Sequence, residues 1–201
     1  MSDFTPDAER LRAAKVALRD RLLTARKALP EAVRRSADAS VQASTVTWVR
    51  AQQPTVCAAY APVGREPGGP DLPDRLAELC TVLLPILLPD GDLDWAEYDG
   101  TATRSPRGLL EPTGRRLGTS AIADVPVIVV PALAVSRSGV RMGRGGGSYD
   151  RVLARAGHAR TVALLHDGEL LDEVPAEPHD QRVRAVVTPS GGIREISGWT
   201  K

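Results

Sequence analysis

The order of elements in the sequence predicts an α/β fold, a mostly parallel sheet with helices on both faces. Two observations carry this prediction. From residue 55 onward, short apolar runs alternate with helical patterns. The clearest runs, Val82–Leu88 and Asp124–Val130, are apolar at nearly every position instead of every second one, which suits strands covered on both sides. At 201 residues the chain is the size of one domain, so residues 1–201 are expected to form a single unit.

Each element has its own signal. Residues 5–28 predict a helix, with Thr5 as N-cap, Pro6 at the first helical position, and Asp7 and Glu9 matched to the positive end of the helix dipole. Leu11, Ala14, Leu18, Leu22, Ala25 and Leu29 form its apolar stripe. Arg12, Lys15, Arg19 and Arg26 repeat with the same period on a neighbouring face. Leu29–Pro30 interrupts it, and residues 31–52 predict a second, Ala-rich helix. Thr55–Ala61 reads as the first strand and Pro62–Pro70 as a loop. Asp71–Thr81 reads as a helix capped by Asp71, followed by the strand Val82–Leu88, a turn at Asp90–Gly91 and a short strand over Asp94–Tyr98. Residues 99–120, rich in Gly and Pro, read as a long ordered loop. After Asp124–Val130, which Pro131 stops, come the glycine cluster Gly143–Gly147 and a helix over Ser148–Ala156. Strands follow at Thr161–Leu165, Ala185–Thr188 and Arg194–Ser197.

Composition removes several classes of function. Lys and Arg number 26 against 25 Asp and Glu, a net +1 that does not fit a general nucleic-acid binder. Aromatic residues are only 3%, which limits stacking to Phe4, Trp48, Tyr60, Trp95, Tyr98, Tyr149 and Trp199. Cys57 and Cys80 lie in apolar stretches and read as buried thiols of a reducing compartment. The charged N-terminus does not resemble a signal peptide, and Val82–Pro89 and Val125–Val135 are too short to span a bilayer. The expectation is a cytoplasmic protein that contacts neither membrane nor nucleic acid.

The chemistry concentrates in Val127–Arg155, where strand, loop, glycine cluster and helix follow one another. Ligands of open α/β sheets bind beyond the carboxyl ends of the strands. Gly143, Gly145, Gly146 and Gly147 allow close backbone approach, and the helix N-terminus behind them adds positive potential. Arg141 and Arg144 add full charges in a geometry suited to phosphate. The segment therefore reads as a polyphosphate cradle, although no Lys follows the glycines as a Walker A motif requires. Asp150 is either a first-turn carboxylate or a Mg²⁺ ligand, and Asp180 is either a turn residue or a second ligand. The cationic face of the first helix is either solvated or laid over a bound nucleotide. Glu66 and Glu111 stand in rigid Pro/Gly loops. His158, His166 and His179 have no metal-ligand spacing, no G-x-S-x-G elbow is present, and Cys57 has no partner histidine near it in sequence.

The segment VPALAVSRSGVRMGRGGGSYDR, Val130–Arg151, resembles the signature of the 5-formyltetrahydrofolate cyclo-ligase family. Lys15–Arg19 (KVALR), the Tyr60–Glu66 region and Val174–Asp180 (VPAEPHD), which VVTP follows, resemble three further family motifs in order and spacing. The resemblance implies a three-layer α/β/α, NagB/RpiA-like domain, monomeric or weakly oligomeric. It implies ATP-dependent conversion of 5-formyltetrahydrofolate, a reduced folate, to 5,10-methenyltetrahydrofolate. By the same resemblance Lys15, Arg19 and Arg141 are catalytic and contact ATP. Gly143, Arg144, Gly145, Gly146, Gly147, Ser148 and Tyr149 would complete the nucleotide loop. Tyr60, Glu66 and Tyr149 would contact the folate, and Asp150 and Asp180 would hold Mg²⁺. Residues implied by no catalytic role leave two other readings: a different small-molecule phosphoryl-transfer enzyme, or a non-catalytic nucleotide-binding protein. The chain departs from the family pattern at Ser148, where an aromatic is usual, at Val135–Ser136 in place of Phe–Asp, and at Ala132 in place of Gly. Loss of the aromatic removes packing area.

Overall fold

The computed structural model describes residues 6–196, so the expected cap Thr5 and the strand end Ser197 lie outside the described residues. Helices α1 (Pro6–Ala28) and α2 (Glu31–Gln52) match the predicted spans. Lys27 and Arg26 sit in the last turn of α1, where the dipole favours cations. The end of α2 is set by Gln53, whose left-handed φ of 50° lets its N–H return to the Arg50 carbonyl.

The main sheet has seven strands in the order β12-β11-β9-β6-β1-β2-β3. These are β1 (Val56–Ala58), β2 (Thr81–Leu87), β3 (Leu93–Glu97), β6 (Val127–Pro131), β9 (Arg160–Leu164), β11 (Ala185–Thr188) and β12 (Gly192–Glu195). The neighbouring pairs from β2 through β11 are parallel. The outer strands β3 and β12 are antiparallel to their neighbours. The sheet is therefore mixed but mostly parallel.

Successive residues of the inner strands enter opposite cores, as two-sided coverage demands. Cys57, Val82, Val129 and Leu164 pack with Val41, Trp48 and Val49 of α2 and with Leu72 and Leu76 of α3 (Leu72–Ala77). Ala58, Leu83, Ile128 and Ala163 pack on the other face with Val152 and Leu153 of α4 (Ser148–Arg155) and with Ile122. Each fully buried Leu, Ile or Val contributes about 1.5–3 kcal/mol relative to exposure. Trp95 is fully buried in this second core, as expected for a core residue.

Four expectations need correction. The first strand is shorter than Thr55–Ala61, because only Val56–Ala58 lies between two partner strands in register. Asp71 stands at the N-cap position of α3 but makes no side-chain cap bond. Residues 99–120 are not a plain loop. They form the hairpin β4 (Ala102–Arg104) and β5 (Leu110–Pro112) and begin a 3₁₀ helix, Thr119–Asp124. That helix takes Asp124 out of the predicted strand, which starts at Val127. A second small sheet, β10-β7-β8, was not predicted: β7 is Ala134–Ser136, β8 is Arg141–Met142 and β10 is Leu170–Leu171.

The chain leaves β1 for β2 on one side and later returns to β6 on the other. The loops after β1 and β6 therefore diverge across a crevice at the carboxyl edge of the sheet, where ligands of such folds bind. Helix α1 packs through Leu22 on Leu133, Ala134 and Met142 of the small sheet, which sets it along that crevice.

Candidate functional site

A cavity of about 360 Å³ occupies the crevice. All of the site residues implied by the family resemblance line it: Lys15, Arg19, Tyr60, Glu66, Arg141, Gly143–Gly147, Ser148, Tyr149, Asp150 and Asp180, whereas Glu111, His158, His166 and Cys57 do not. Four segments far apart in sequence thus meet in one place. The opposite wall is apolar, built from Pro85, Leu87, Leu93, Leu109 and Leu110. The last two come from the hairpin region within residues 99–120.

The glycine segment joins β8 to α4. Gly145 and Gly147 have φ of 103° and 70°, values that L side chains rarely adopt, so these positions require glycine. Gly147 stands at the N-cap of α4 and offers no side-chain cap. Ser148 does not cap its own helix; its hydroxyl donates to the Gly91 carbonyl at 2.5 Å. Arg151 donates to the same carbonyl, so the glycine segment is tied to the β2–β3 turn.

Lys15 and Arg26 of the cationic repeat on α1 are turned inward and Arg19 is half-buried, while Arg12 stays exposed. Lys15 is only 5% exposed, and Arg26 is equally buried, whereas Ala14 and Ala25 of the expected apolar stripe face solvent. The reason is the polarity of what α1 covers. Lys15 Nζ lies 2.7 Å from Glu177 Oε2 and 2.5 Å from Asp180 Oδ2. Arg19 Nε donates to the Gly143 carbonyl at 3.0 Å. Arg26 donates to both carboxylate oxygens of Glu169 and to the Ala132 carbonyl. Paired cations of this kind tolerate burial that free ones do not. The Lys15 ammonium draws the Glu177 carboxyl below the usual glutamate range. Burial raises Asp180, but Lys15 and the Glu177 backbone N–H outweigh it and hold the carboxyl low.

Arg141, at 4% exposure, donates to Asp150 Oδ1 at 2.9 Å and to the Pro131 carbonyl at 3.3 Å. Its guanidinium carbon lies 5.9 Å from the centre of the Tyr149 ring, a cation–π distance. Burial raises the Tyr149 phenol well above its ordinary range, and the nearby Glu66 carboxylate adds to this, so the phenol is neutral. Its hydroxyl has no hydrogen-bond partner among the described residues, nor has Arg141 Nε. Across the cavity mouth Arg144 Nη2 lies 3.1 Å from Glu66 Oε1. Glu66 Oε2 accepts the Val63 N–H at 3.0 Å, and the Tyr60 hydroxyl donates to the Pro67 carbonyl at 2.7 Å. The loop after β1 thus holds its own carboxylate at the rim.

Asp150 and Asp180 are the side chains suited to a divalent cation. The two are neighbours, because the N–H of Gln181 donates to Asp150 Oδ1. That oxygen also takes Arg141, and Asp180 Oδ2 takes Lys15 and the Glu177 N–H. The second oxygen of each carboxylate makes no hydrogen bond within the described residues. No group of three or more His, Cys, Asp and Glu forms a metal cage among the described residues. Two hard oxygen donors nevertheless fit Mg²⁺, which needs few protein carboxylates because it keeps waters for much of its shell.

Glu177 and Arg26 belong to the site, and sequence reasoning missed both roles. Glu177 had a signal, since it lies three residues before Asp180 in VPAEPHD. Arg26 had only its place in the cationic repeat. His179 lines the cavity beside Asp180, while His166 lies outside it.

An open α/β sheet with a glycine loop, an uncapped helix start and buried cations around one crevice defines a small-molecule-binding α/β protein equipped for an anionic ligand. Residues 11–189 match the model of the 5-formyltetrahydrofolate cyclo-ligase family, and the chain belongs to that family. It is 45% identical over 188 residues to the 5-formyltetrahydrofolate cyclo-ligase of Mycolicibacterium smegmatis, covering 90% of this chain and 96% of that one. The cyclo-ligase of Escherichia coli K12 is 39% identical over a shorter stretch of 71 residues, 34% of this chain and 39% of that one. Among solved structures, the NMR structure of Aquifex aeolicus 5,10-methenyltetrahydrofolate synthetase has the same fold. Its TM-score is 0.78 at 24% identity, covering 93% of this chain and 95% of that one.

Proposed function

We propose that this chain, acting as one NagB/RpiA-like domain, cyclises 5-formyltetrahydrofolate to 5,10-methenyltetrahydrofolate at the expense of ATP. The observation that carries the reading is the mixed lining of one cavity. The glycine segment, the start of α4 and the cations Lys15, Arg19 and Arg141 line it together with the apolar side chains Pro85, Leu87, Leu93, Leu109 and Leu110 and with Glu66, Tyr60 and Tyr149. The cationic lining suits a polyphosphate and the apolar lining a flat heterocycle with polar edges.

The chemistry asks little covalent work of the protein. A formyl oxygen on nitrogen is a poor leaving group and phosphate is a good one. The formyl oxygen attacks the γ-phosphorus, and ADP departs. The folate N10 then attacks the activated formyl carbon, loses its proton and expels phosphate. Such transfer depends on alignment and on neutralising the charge of the phosphoryl oxygens. Lys15, Arg19 and Arg141 supply fixed positive charge on the phosphate side, already oriented by Glu177, Gly143 and Asp150. Backbone N–H groups of Gly143–Gly147 with Arg144, Ser148 and Tyr149 would cradle the polyphosphate. Asp150 and Asp180 would hold Mg²⁺, which supplies neutralising charge between phosphate oxygens when bound. Glu66 and Tyr60 would orient the folate, and the neutral Tyr149 hydroxyl is a donor without a partner among the described residues. The free thiols Cys57 and Cys80 fit a reducing, cytoplasmic setting. No described helix is long and apolar enough to cross a membrane.

The order of bond making is testable by isotope. Folate carrying ¹⁸O in its formyl group should deliver that label to the released phosphate. Unlabelled phosphate with labelled water or ADP instead would contradict the phosphorylated intermediate.

A further inference from the structure

The loop that carries Glu66 is held from outside the cavity as well as from within. The His166 ring, just past β9, is 4% exposed, and its Nε2 lies 3.0 Å from the carbonyl oxygen of Arg65, the residue next to Glu66. A carbonyl oxygen only accepts, so Nε2 carries the hydrogen of this bond. Nδ1 is buried and has no hydrogen-bond partner among the described residues.

Asp38 of α2 interacts electrostatically with this ring. It is 6% exposed, and the Gly68 backbone N–H, on the Glu66 loop, supports its carboxylate. Its Oδ2 takes Arg34 at 2.9 Å. Burial raises the Asp38 carboxyl above its ordinary range, against the opposing pull of Arg34 and His166. The other charged groups around the ring are committed elsewhere. Glu169 Oε2 accepts the His166 backbone N–H at 2.7 Å and is itself held by Arg26. The Arg65 guanidinium points back to the carbonyls of Arg26 and Leu29. Farther along the loop, Gln42 donates to the Gly68 carbonyl at 3.3 Å, and a Cβ on Gly69 would stand 3.3 Å from that of Asp38.

We propose that His166 is a positioning residue for Glu66: its Nε2–H fixes the Arg65 carbonyl and so sets how residue 66 enters the cavity. The inference rests on the reading of Glu66 as a folate contact. His166 itself lies outside the cavity and acts only through the loop.

The test is steady-state kinetics on H166F, H166Q, E66Q and the double variant H166F/E66Q. H166F keeps a ring but leaves the Arg65 carbonyl without its donor, and should raise KM for 5-formyltetrahydrofolate about ten-fold. KM for ATP should stay close to the parent value. H166Q can place an amide N–H where Nε2 stands and should restore the folate KM. The double variant should be no worse than E66Q, because residues that act through one another are not additive. An unchanged folate KM in H166F, no rescue by Gln, or additive effects in the double variant would overturn the proposal. If H166F does not fold, ¹⁵N imidazole spectra of the unmutated protein decide: a protonated Nε2 that persists across pH supports the clamp, and a bare Nε2 overturns it. Absence of folate turnover in the unmutated protein would overturn the proposed function instead, and the spectra would remain the test of the His166–Arg65 bond.

Discussion

Lys15 Nζ bridges Glu177 Oε2 and Asp180 Oδ2 at 2.7 and 2.5 Å, so one buried ammonium ties the first helix to a segment more than 160 positions later. Two consequences follow. The ammonium is fixed beside the glycine segment before any ligand arrives, and α1 is anchored over the cavity by charge as well as by Leu22. K15A leaves two carboxylates facing each other without their cation. Because those carboxylates are partly solvated, the destabilisation should be about 2 kcal/mol, between an exposed pair and a broken fully buried one. Urea denaturation measures it. In the folded fraction KM for ATP should rise more than KM for folate, and equal rises would count against Lys15 lying at the phosphates.

The same pair predicts a pH dependence. Glu177 is held low chiefly by Lys15, and Asp180 is held low by Lys15 and a backbone N–H despite its burial. A depressed carboxyl stabilises the fold at pH values above its unfolded pKa and loses that contribution as pH falls through the folded value. Stability should therefore be constant through neutral pH and decline below the ordinary Asp and Glu range. E177Q and D180N should each flatten that decline in pH-dependent melting curves. A decline identical to that of the unmutated protein would show that the pair carries no linkage.

Asp150 connects Arg141 to the proposed cation. D150N keeps the shape of the side chain and removes its charge. Turnover should fall roughly 10²–10³-fold, the scale for losing one electrostatic element of a transition state. The Mg²⁺ concentration for half-maximal rate should rise as well. Turnover that stays the same across magnesium concentrations would remove Asp150 from the metal site.

Gly143 explains how tightly the glycine segment and Arg141 are built together. A Cβ at this position would stand 2.6 Å from Arg141 Nη1. That nitrogen is anchored on the Pro131 carbonyl, so G143A should push the guanidinium off Asp150. We expect a folded protein with turnover reduced to the level of R141A. Full activity in G143A would show that Arg141 can reposition without consequence.

Arg144 and Glu66 close the rim with a pair that is exposed on the arginine side. Exposed pairs contribute little, so R144A should change stability by less than about 0.5 kcal/mol. E66Q should raise KM for folate and leave KM for ATP unchanged. An effect of E66Q confined to ATP would refute its assignment to the folate.

Much of this site was legible in the chain because its pieces are local. Gly143–Gly147 and Asp150 form one uninterrupted segment, and the long apolar strands declare themselves by composition. The burial of Lys15 was not legible, because helical period assigns faces by side-chain polarity. Here the covering surface, with Glu177 and Asp180, is polar too. The strands of the small sheet are two or three residues long, too short for any period to show. The hairpin within 99–120 is equally short. Its role as an apolar wall depends on docking against β2, where Glu111 accepts the Leu87 N–H at 3.2 Å. The spacing of His166 excluded a metal ligand but could not show its partner, a backbone carbonyl on a loop far away in sequence.

The most direct measurement is the near-ultraviolet absorbance of the methenyl product when purified protein meets 5-formyltetrahydrofolate, Mg²⁺ and ATP. Product that forms only when both ATP and Mg²⁺ are present is the predicted result. Folded protein that binds ATP and yields no product would contradict the account and point to a different phosphoryl acceptor.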